Sequence, residues 1–242
     1  MARPDARLER EIAAFTQEVV RACGDSLVCL VLYGSAAGED WVADRSDVNT
    51  AVVVSRVTLA TLEALVPVVT RFRRRGFALP LLVDPEFLDA ARDTFPMELD
   101  DIGRRHRLLA GTDVFAAIAV DAGAVRRECE HEARAKLLRL RALFLDVAGT
   151  PVALERLMVE SLKSFLVLLR HLLELRGTRT GPGYADVLAA GEEVLGPLPV
   201  MRRLLDHRAG TVRWRPAALR AEFGAYLAEL ERIVAGLDGL HA

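Results

Sequence analysis

The sequence predicts an α+β chain in two parts: a small mixed β-sheet with flanking helices over residues 1–120, then an all-α helical bundle over residues 121–242. Three observations carry this. Leu27 to Tyr33 is an almost unbroken apolar run, short and β-branched enough for a strand buried on both faces, and it ends in Gly34-Ser35. A second such run, Asp47 to Val54, follows a polar loop. From Asp121 onward strand signals vanish, and amphipathic stretches are punctuated by Gly149, Gly177, Gly181, Gly196 and Gly210.

In chain order, Pro4 to Cys23 reads as a helix with Leu8, Ile12, Phe15, Val19 and Val20 at helical spacing, stopped by Gly24. After the two strands, Thr58 to Arg75 reads as a second helix, with Leu59, Leu62, Leu65, Val66, Val69 and Phe72 inward. Its basic end, Arg71 to Arg75, suits a phosphate contact or the complement of a helix C-terminus before Gly76. Phe77 to Val83 reads as a third strand, which Pro80 places at a sheet edge or bend. Asp84, followed by Pro85 and Glu86, suits a helix N-cap or a carboxylate past the strand end. Phe95 to Ile102 alternates in a way that predicts a short strand with Glu98 and Asp100 on one face. Glu98 there is either a displaced catalytic carboxylate or an exposed acid paired with the Arg104 to Arg107 cluster.

The second part reads as helices over Asp121 to Ala148, Pro151 to Arg176, Gly183 to Leu195, Leu198 to His207 and Pro216 to Gly236, an antiparallel bundle with short connections. Ser161, Lys163 and Ser164 interrupt an apolar helix and read either as a phosphate or acceptor contact or as snorkelling polar groups. The run Glu128, Glu130, His131, Glu132, Arg134 lacks the His-Glu-x-x-His spacing of a zinc helix and reads as a charged face. Thr178 to Tyr184 reads as a turn or as a loop over a ligand.

Composition narrows the function. A net charge of −2 over 242 residues gives no global pull toward nucleic acid or anionic membrane. Aromatic residues, 6% of the chain, are too few and scattered for a base-stacking surface, so no nucleic-acid partner is indicated. Cys23, Cys29 and Cys129 fit neither a disulfide framework nor a zinc site, which points to a reducing cytoplasm. Charges from Arg3 to Glu11 interrupt any secretory apolar core, and the longest apolar tract, Leu162 to Leu175, carries Lys163, Arg170, His171 and Glu174, so no membrane partner is expected. Only Lys136 and Lys163 among the 32 basic residues are lysines, as a GC-rich bacterial genome would give. Long apolar helices leave room for a dimer without requiring one.

The chemistry concentrates in residues 27–54. Gly34 lets the backbone turn sharply and approach a ligand, and Ser35 before Ala36-Ala37 suits an N-cap whose free N–H groups favour phosphate. In the second strand Asp47 and Asn49 face one way and Val48 the other. A Gly-Ser turn after an apolar strand, followed by Ser-Asp-x-acid opening the next, resembles the nucleotidyltransferase fold of the DNA polymerase β superfamily. The resemblance implies that Gly34 and Ser35 hold a triphosphate and that Asp47 and the residue at 49 bind divalent metal. The Phe95-Pro96-Met97-Glu98 and Leu109-Ala110-Gly111-Thr112-Asp113 segments resemble "FPxE" and "LxG.D" segments of a group of bacterial nucleotidyltransferase-domain proteins. A comparable "L.G" step occurs in transferases of the aminoglycoside-adenylylating kind.

This chain departs from the pattern at Asn49. A carboxylate about 4 Å from a divalent cation is worth roughly 8 kcal/mol at an effective dielectric near 20, before desolvation. An amide oxygen still ligates a hard cation, but without charge. The resemblance then implies transfer of a nucleoside monophosphate from an NTP to a small-molecule hydroxyl, weakened by Asn49. One Mg²⁺ site replaces two, held by Asp47 and Asn49, and Glu98 or Asp84 acts as base. The alternative is a degenerate transferase fold that binds nucleotide or a protein partner, as an antitoxin-like component does.

Overall fold

The computed structural model describes residues 6–38, 46–181, 183–212 and 214–239. By internal contacts the chain divides into two compact units, Met1–Asp121 and Ala122–Ala242. The polar loop expected between Ser35 and Asp47 lies largely outside the described residues.

The first unit holds a four-stranded mixed sheet of β1 (Leu27–Tyr33), β2 (Asn49–Val54), β3 (Leu81–Val83) and β4 (His106–Gly111), in the order β3-β2-β1-β4. β1 pairs antiparallel with β2 and with β4, and β2 pairs parallel with β3. The expectation of a doubly buried β1 holds, because side-chain alternation supplies both faces. Leu30 and Leu32, with Val48, Val52 and Val54, enter one core; Cys29 and Val31, with Ala51 and Val53, enter the other.

Helices α1 (Ala6–Cys23) and α2 (Leu59–Arg73) complete the first core with Ile12, Phe15, Val19, Leu65, Val68 and Phe72. Phe15, Phe72 and Phe77 pack there edge-to-face or tilted, with ring centroids 4.8–5.3 Å apart. Only part of α2's expected inward face turns inward: Leu59, Leu62 and Val66 are 70%, 45% and 58% exposed. The basic end of α2 is partly tied down, as Arg71 pairs with Glu18 and Arg75 with Glu11 (2.7 Å) on α1. On the other face α3 (Pro85–Ala90) and α4 (Pro96–Arg104) bring Leu88, Leu99 and Ile102 onto the sheet.

Three expectations are corrected. The expected strand over 95–102 is instead helix α4: Pro96 opens it after Phe95, and Asp100–Arg104 (2.8 Å) and Asp101–Arg105 pair one turn apart along it. The basic segment after it is the start of an unforeseen strand, β4, whose Gly111 lies so close to β1 that a Cβ would stand 2.2 Å from the Val28 carbonyl oxygen. The third strand is three residues rather than seven, since Pro80 interrupts it and Phe77 reaches β2 only through a bridge to Val48. It is an edge strand, as Pro80 requires.

The second unit comprises α5 (Ala122–Val147), α6 (Pro151–Leu175), α7 (Tyr184–Leu195), α8 (Pro199–Arg208) and α9 (Leu219–Asp238). α6 is its centre: Leu154, Met158, Leu162, Phe165, Leu166 and Leu169 are fully buried, and α5, α7, α8 and α9 all pack on it. A Cβ on Gly191 of α7 would stand 2.6 Å from Leu169. The carboxylate of Glu229 on α9 accepts the Val200 and Met201 amides, both at 2.8 Å, capping the N-terminus of α8. Burial nonetheless pushes the Glu229 carboxyl up, outweighing those two hydrogen bonds. Among the described residues no helix is long and apolar enough to cross a membrane, and all three cysteines are free and buried.

Candidate functional site

β1 delivers the site. Its last residue, Tyr33, lies opposite Asn49 of β2 on one side and His106 of β4 on the other. Gly34 then takes φ +70°, a conformation other residues adopt only with strain, and residues 34–37 form a 3₁₀ turn. Ser35 lies inside this turn and not at its N-cap, contrary to expectation: the cap position is Tyr33, which makes no side-chain cap. Ser35 is 5% exposed and its Oγ has no hydrogen-bond partner among the described residues. A hydroxyl buried without a partner is costly.

The strand expected from Asp47 begins at Asn49. Val48 is held by hydrogen bonds from its amide to Gly76 O (2.9 Å) and from the Ala78 amide to its carbonyl (3.0 Å). With Val48 buried at 2%, Asp47 stands exposed at the sheet's end and Asn49 is half-buried. Asn49 closes on the turn: its Nδ2 is 3.0 Å from where a Gly34 Cβ would sit. The structure thus joins Gly34, Ser35 and Asn49, with Asp47 one bridged residue away.

Glu98 is exposed in the first turn of α4, while Met97 and Leu99 on either side are buried. It has no ion-pair partner among the described residues; the arginines expected to neutralise it go to Asp100, Asp101 and, through Arg107 (2.8 Å), to Glu9. Glu98 still reaches the strand ends electrostatically. Burial pushes the Tyr33 phenol up, and the negative charges of Asp101 and Glu98 push it further the same way.

Asp84, the other carboxylate considered, is the N-cap of α3. Its Oδ1 accepts the Phe87 amide (2.9 Å) and its Oδ2 the Val57 amide (3.2 Å), which hold its carboxyl below the usual range. Both oxygens are committed. Ser161 and Ser164 are likewise spent, on Met158 O (3.0 Å) and Ser161 O (2.9 Å) within α6 and on the Tyr226 hydroxyl (3.1 Å) of α9. The charged run on α5 forms pairs such as Glu132–Lys136 (2.6 Å) and Arg134–Asp238 (2.7 Å), an ordinary solvated face. In the 178–184 segment the Gly183 amide donates to Asp186 (3.2 Å) at the start of α7, and Pro182 lies outside the described residues.

Two groups beside the site were not foreseen. The ring of His106 is clamped between Ile102 O of α4 (Nδ1, 2.6 Å) and Asp113 Oδ2 (Nε2, 2.9 Å). Asp113 Oδ1 also accepts the Phe115 (3.1 Å) and Ala116 (3.0 Å) amides. Burial alone would raise the Asp113 carboxyl, but these bonds outweigh it and hold it low. The clamp fastens the end of α4 to β4, and so fixes the helix that carries Glu98. Its signal in the sequence was Asp113 two residues beyond Gly111.

No protein-family model matches the chain, and no curated protein matches it. Among solved structures it is similar to spectinomycin adenyltransferase AAD(9) from Enterococcus faecialis, determined with ATP and spectinomycin. The TM-score is 0.56 at 14% identity, over 92% of this chain and 99% of that one. At that identity the likeness speaks for the fold. With the mixed sheet, the Gly-Ser turn and the helical second unit, it establishes that this chain has the nucleotidyltransferase fold.

Proposed function

We propose that the chain transfers a nucleoside monophosphate from a nucleoside triphosphate to a hydroxyl of a small molecule, at a rate lowered by Asn49. The observation that carries this reading is the positive-φ Gly34 turn after β1, which contains Ser35, with Asn49 against Gly34 and Asp47 exposed at the sheet's end. The adenyltransferase with the same fold was determined with ATP and a small molecule, which supports both substrate classes.

The 34–37 turn would cradle the β and γ phosphates. The residues fit one hard cation better than two: Asp47 offers a full charge and Asn49 a neutral amide oxygen, so a single Mg²⁺ would be held there. When bound, that ion supplies charge neutralisation at the phosphates. Glu98, without an ion-pair partner among the described residues, would take the acceptor's proton as the acceptor oxygen bonds to the α-phosphorus and pyrophosphate leaves. In-line displacement depends mainly on positioning and charge neutralisation, so a weakened metal site slows it without forbidding it.

Asn49 also supports a second reading, in which the site binds nucleotide without turning it over. Pyrophosphate release from each NTP, with a panel of hydroxyl-bearing small molecules, separates the two. The transferase reading expects turnover that Asp47→Ala abolishes and Asn49→Asp raises by about 30-fold or more, the rate equivalent of roughly 2 kcal/mol. Nucleotide binding without turnover, even in Asn49→Asp, would leave the second reading.

A further inference from the structure

We propose that the outer face of α2 and the adjoining edge of the sheet form a docking groove for an amphipathic helix of a protein partner whose end carries carboxylates. Leu62, Leu65, Val66 and Val69 of α2 face Leu79 and Leu82 of the edge-strand segment across a concavity of about 720 Å³. Three apolar side chains lining it are far from buried: Leu62 is 45% exposed, Val66 58% and Leu79 65%. Singly exposed apolar residues need no explanation, but a contiguous set beside an open sheet edge does. The α2 stripe from residue 62 to 69 runs roughly 10 Å, two helical turns, which matches side chains presented at i, i+4 and i+7 by a docked helix.

Charge identifies the occupant. Of the four arginines at the end of α2, Arg71 and Arg75 are held by Glu18 and Glu11, whereas Arg73 and Arg74, which line the groove, have no ion-pair partner among the described residues. An apolar trough closed by two unpaired cations selects leucine-like side chains followed by Asp or Glu. The groove's own lining offers no carboxylate to meet them, so the groove suits a chain that brings one. It lies on the α1–α2 layer of the sheet, opposite the α4 layer that carries Glu98.

The test uses the full chain and a fluorescein-labelled helical peptide about four turns long, with leucines on one face and glutamates toward one end, beside a matched peptide with lysines in place of the glutamates. The expected result is saturable anisotropy with the acidic peptide only. It should weaken about tenfold in Val66→Asp and in the Arg73→Glu, Arg74→Glu pair, and stay unchanged in Asp47→Ala. All four positions are exposed, so these variants should fold. No saturable binding, or equal binding of the lysine peptide, would overturn the proposal. So would a Val66-dependent dimer in sedimentation or Val66-dependent binding to phosphatidylglycerol vesicles, since each names a different occupant.

Discussion

The amide of Asn49 rests against Gly34, so close that a Cβ on residue 34 would lie 3.0 Å from Nδ2. The phosphate-side turn and the metal-side strand are therefore one packed unit: what stands at position 49 sets how the turn at 34 can sit.

Gly34→Ala should expose that coupling. Gly34 has φ +70°, where an L side chain is disfavoured by about 1–2 kcal/mol, and the new methyl also presses on Asn49. Urea unfolding should show a loss of at least that size, with nucleotide binding weakened as well. A variant of wild-type stability would mean that the turn relaxes freely and is not fixed by Asn49.

Gly111→Ala should be worse. Here the clash is with backbone, 2.2 Å from Val28 O, which no side-chain rotation relieves. A loss of about 3 kcal/mol in equilibrium unfolding is expected, because β4 must move off β1. Gly24→Ala, with nothing within 4 Å of its Cβ, carries only the strain of its φ of +51° and is the comparison.

The His106–Asp113 clamp predicts a pH dependence. The Asp113 carboxyl is held below its ordinary value in the folded chain, so its contribution is fully present above the ordinary carboxylate range and is lost as pH falls through the lower, folded value. Asp113→Ala leaves His106 Nε2 and two amides without their acceptor and should destabilise by about 1.5–3 kcal/mol at pH 6. Its stability should fall less than that of the wild type between pH 6 and pH 3 by circular dichroism. Equal acid sensitivity would show that Asp113 is not the titrating group.

Glu98→Gln separates chemistry from folding. The residue is exposed and without an ion pair among the described residues, so stability should stay within about 0.5 kcal/mol. If Glu98 is the base, turnover should fall about 100-fold or more. Unchanged turnover would send the search for the base to other carboxylates.

Much of the fold was legible because its signals are local. The apolar runs of β1 and β2 and the Gly- and Pro-bounded helices of the second unit need only their own residues to declare them. α4 was misread because Met97, Glu98, Leu99 and Asp100 alternate as well on a strand as on one turn of helix. The deciding cues were Pro96 at the start and the i, i+4 pairs Asp100–Arg104 and Asp101–Arg105. β4 was missed because the charged residues at its start look like solvated surface until α1 supplies Glu9 for Arg107 and Asp113 returns to His106. Within the candidate site, the approach of Asn49 to the Gly34 turn was legible, because β1 and β2 pair at that end. The clamp behind Glu98 joins α4, β4 and the segment beyond it, and Asp113 after Gly111 was its one local trace, with nothing in the spacing to pair it with His106.

Calorimetric titration of the protein with ATP, GTP, CTP and UTP, each with Mg²⁺ and with EDTA, tests the central claim most directly. The site described here predicts magnesium-dependent binding of at least one nucleotide, lost in Asp47→Ala and strengthened in Asn49→Asp. No binding under any of these conditions would contradict both the transferase and the nucleotide-binding readings, and would leave the fold as a scaffold.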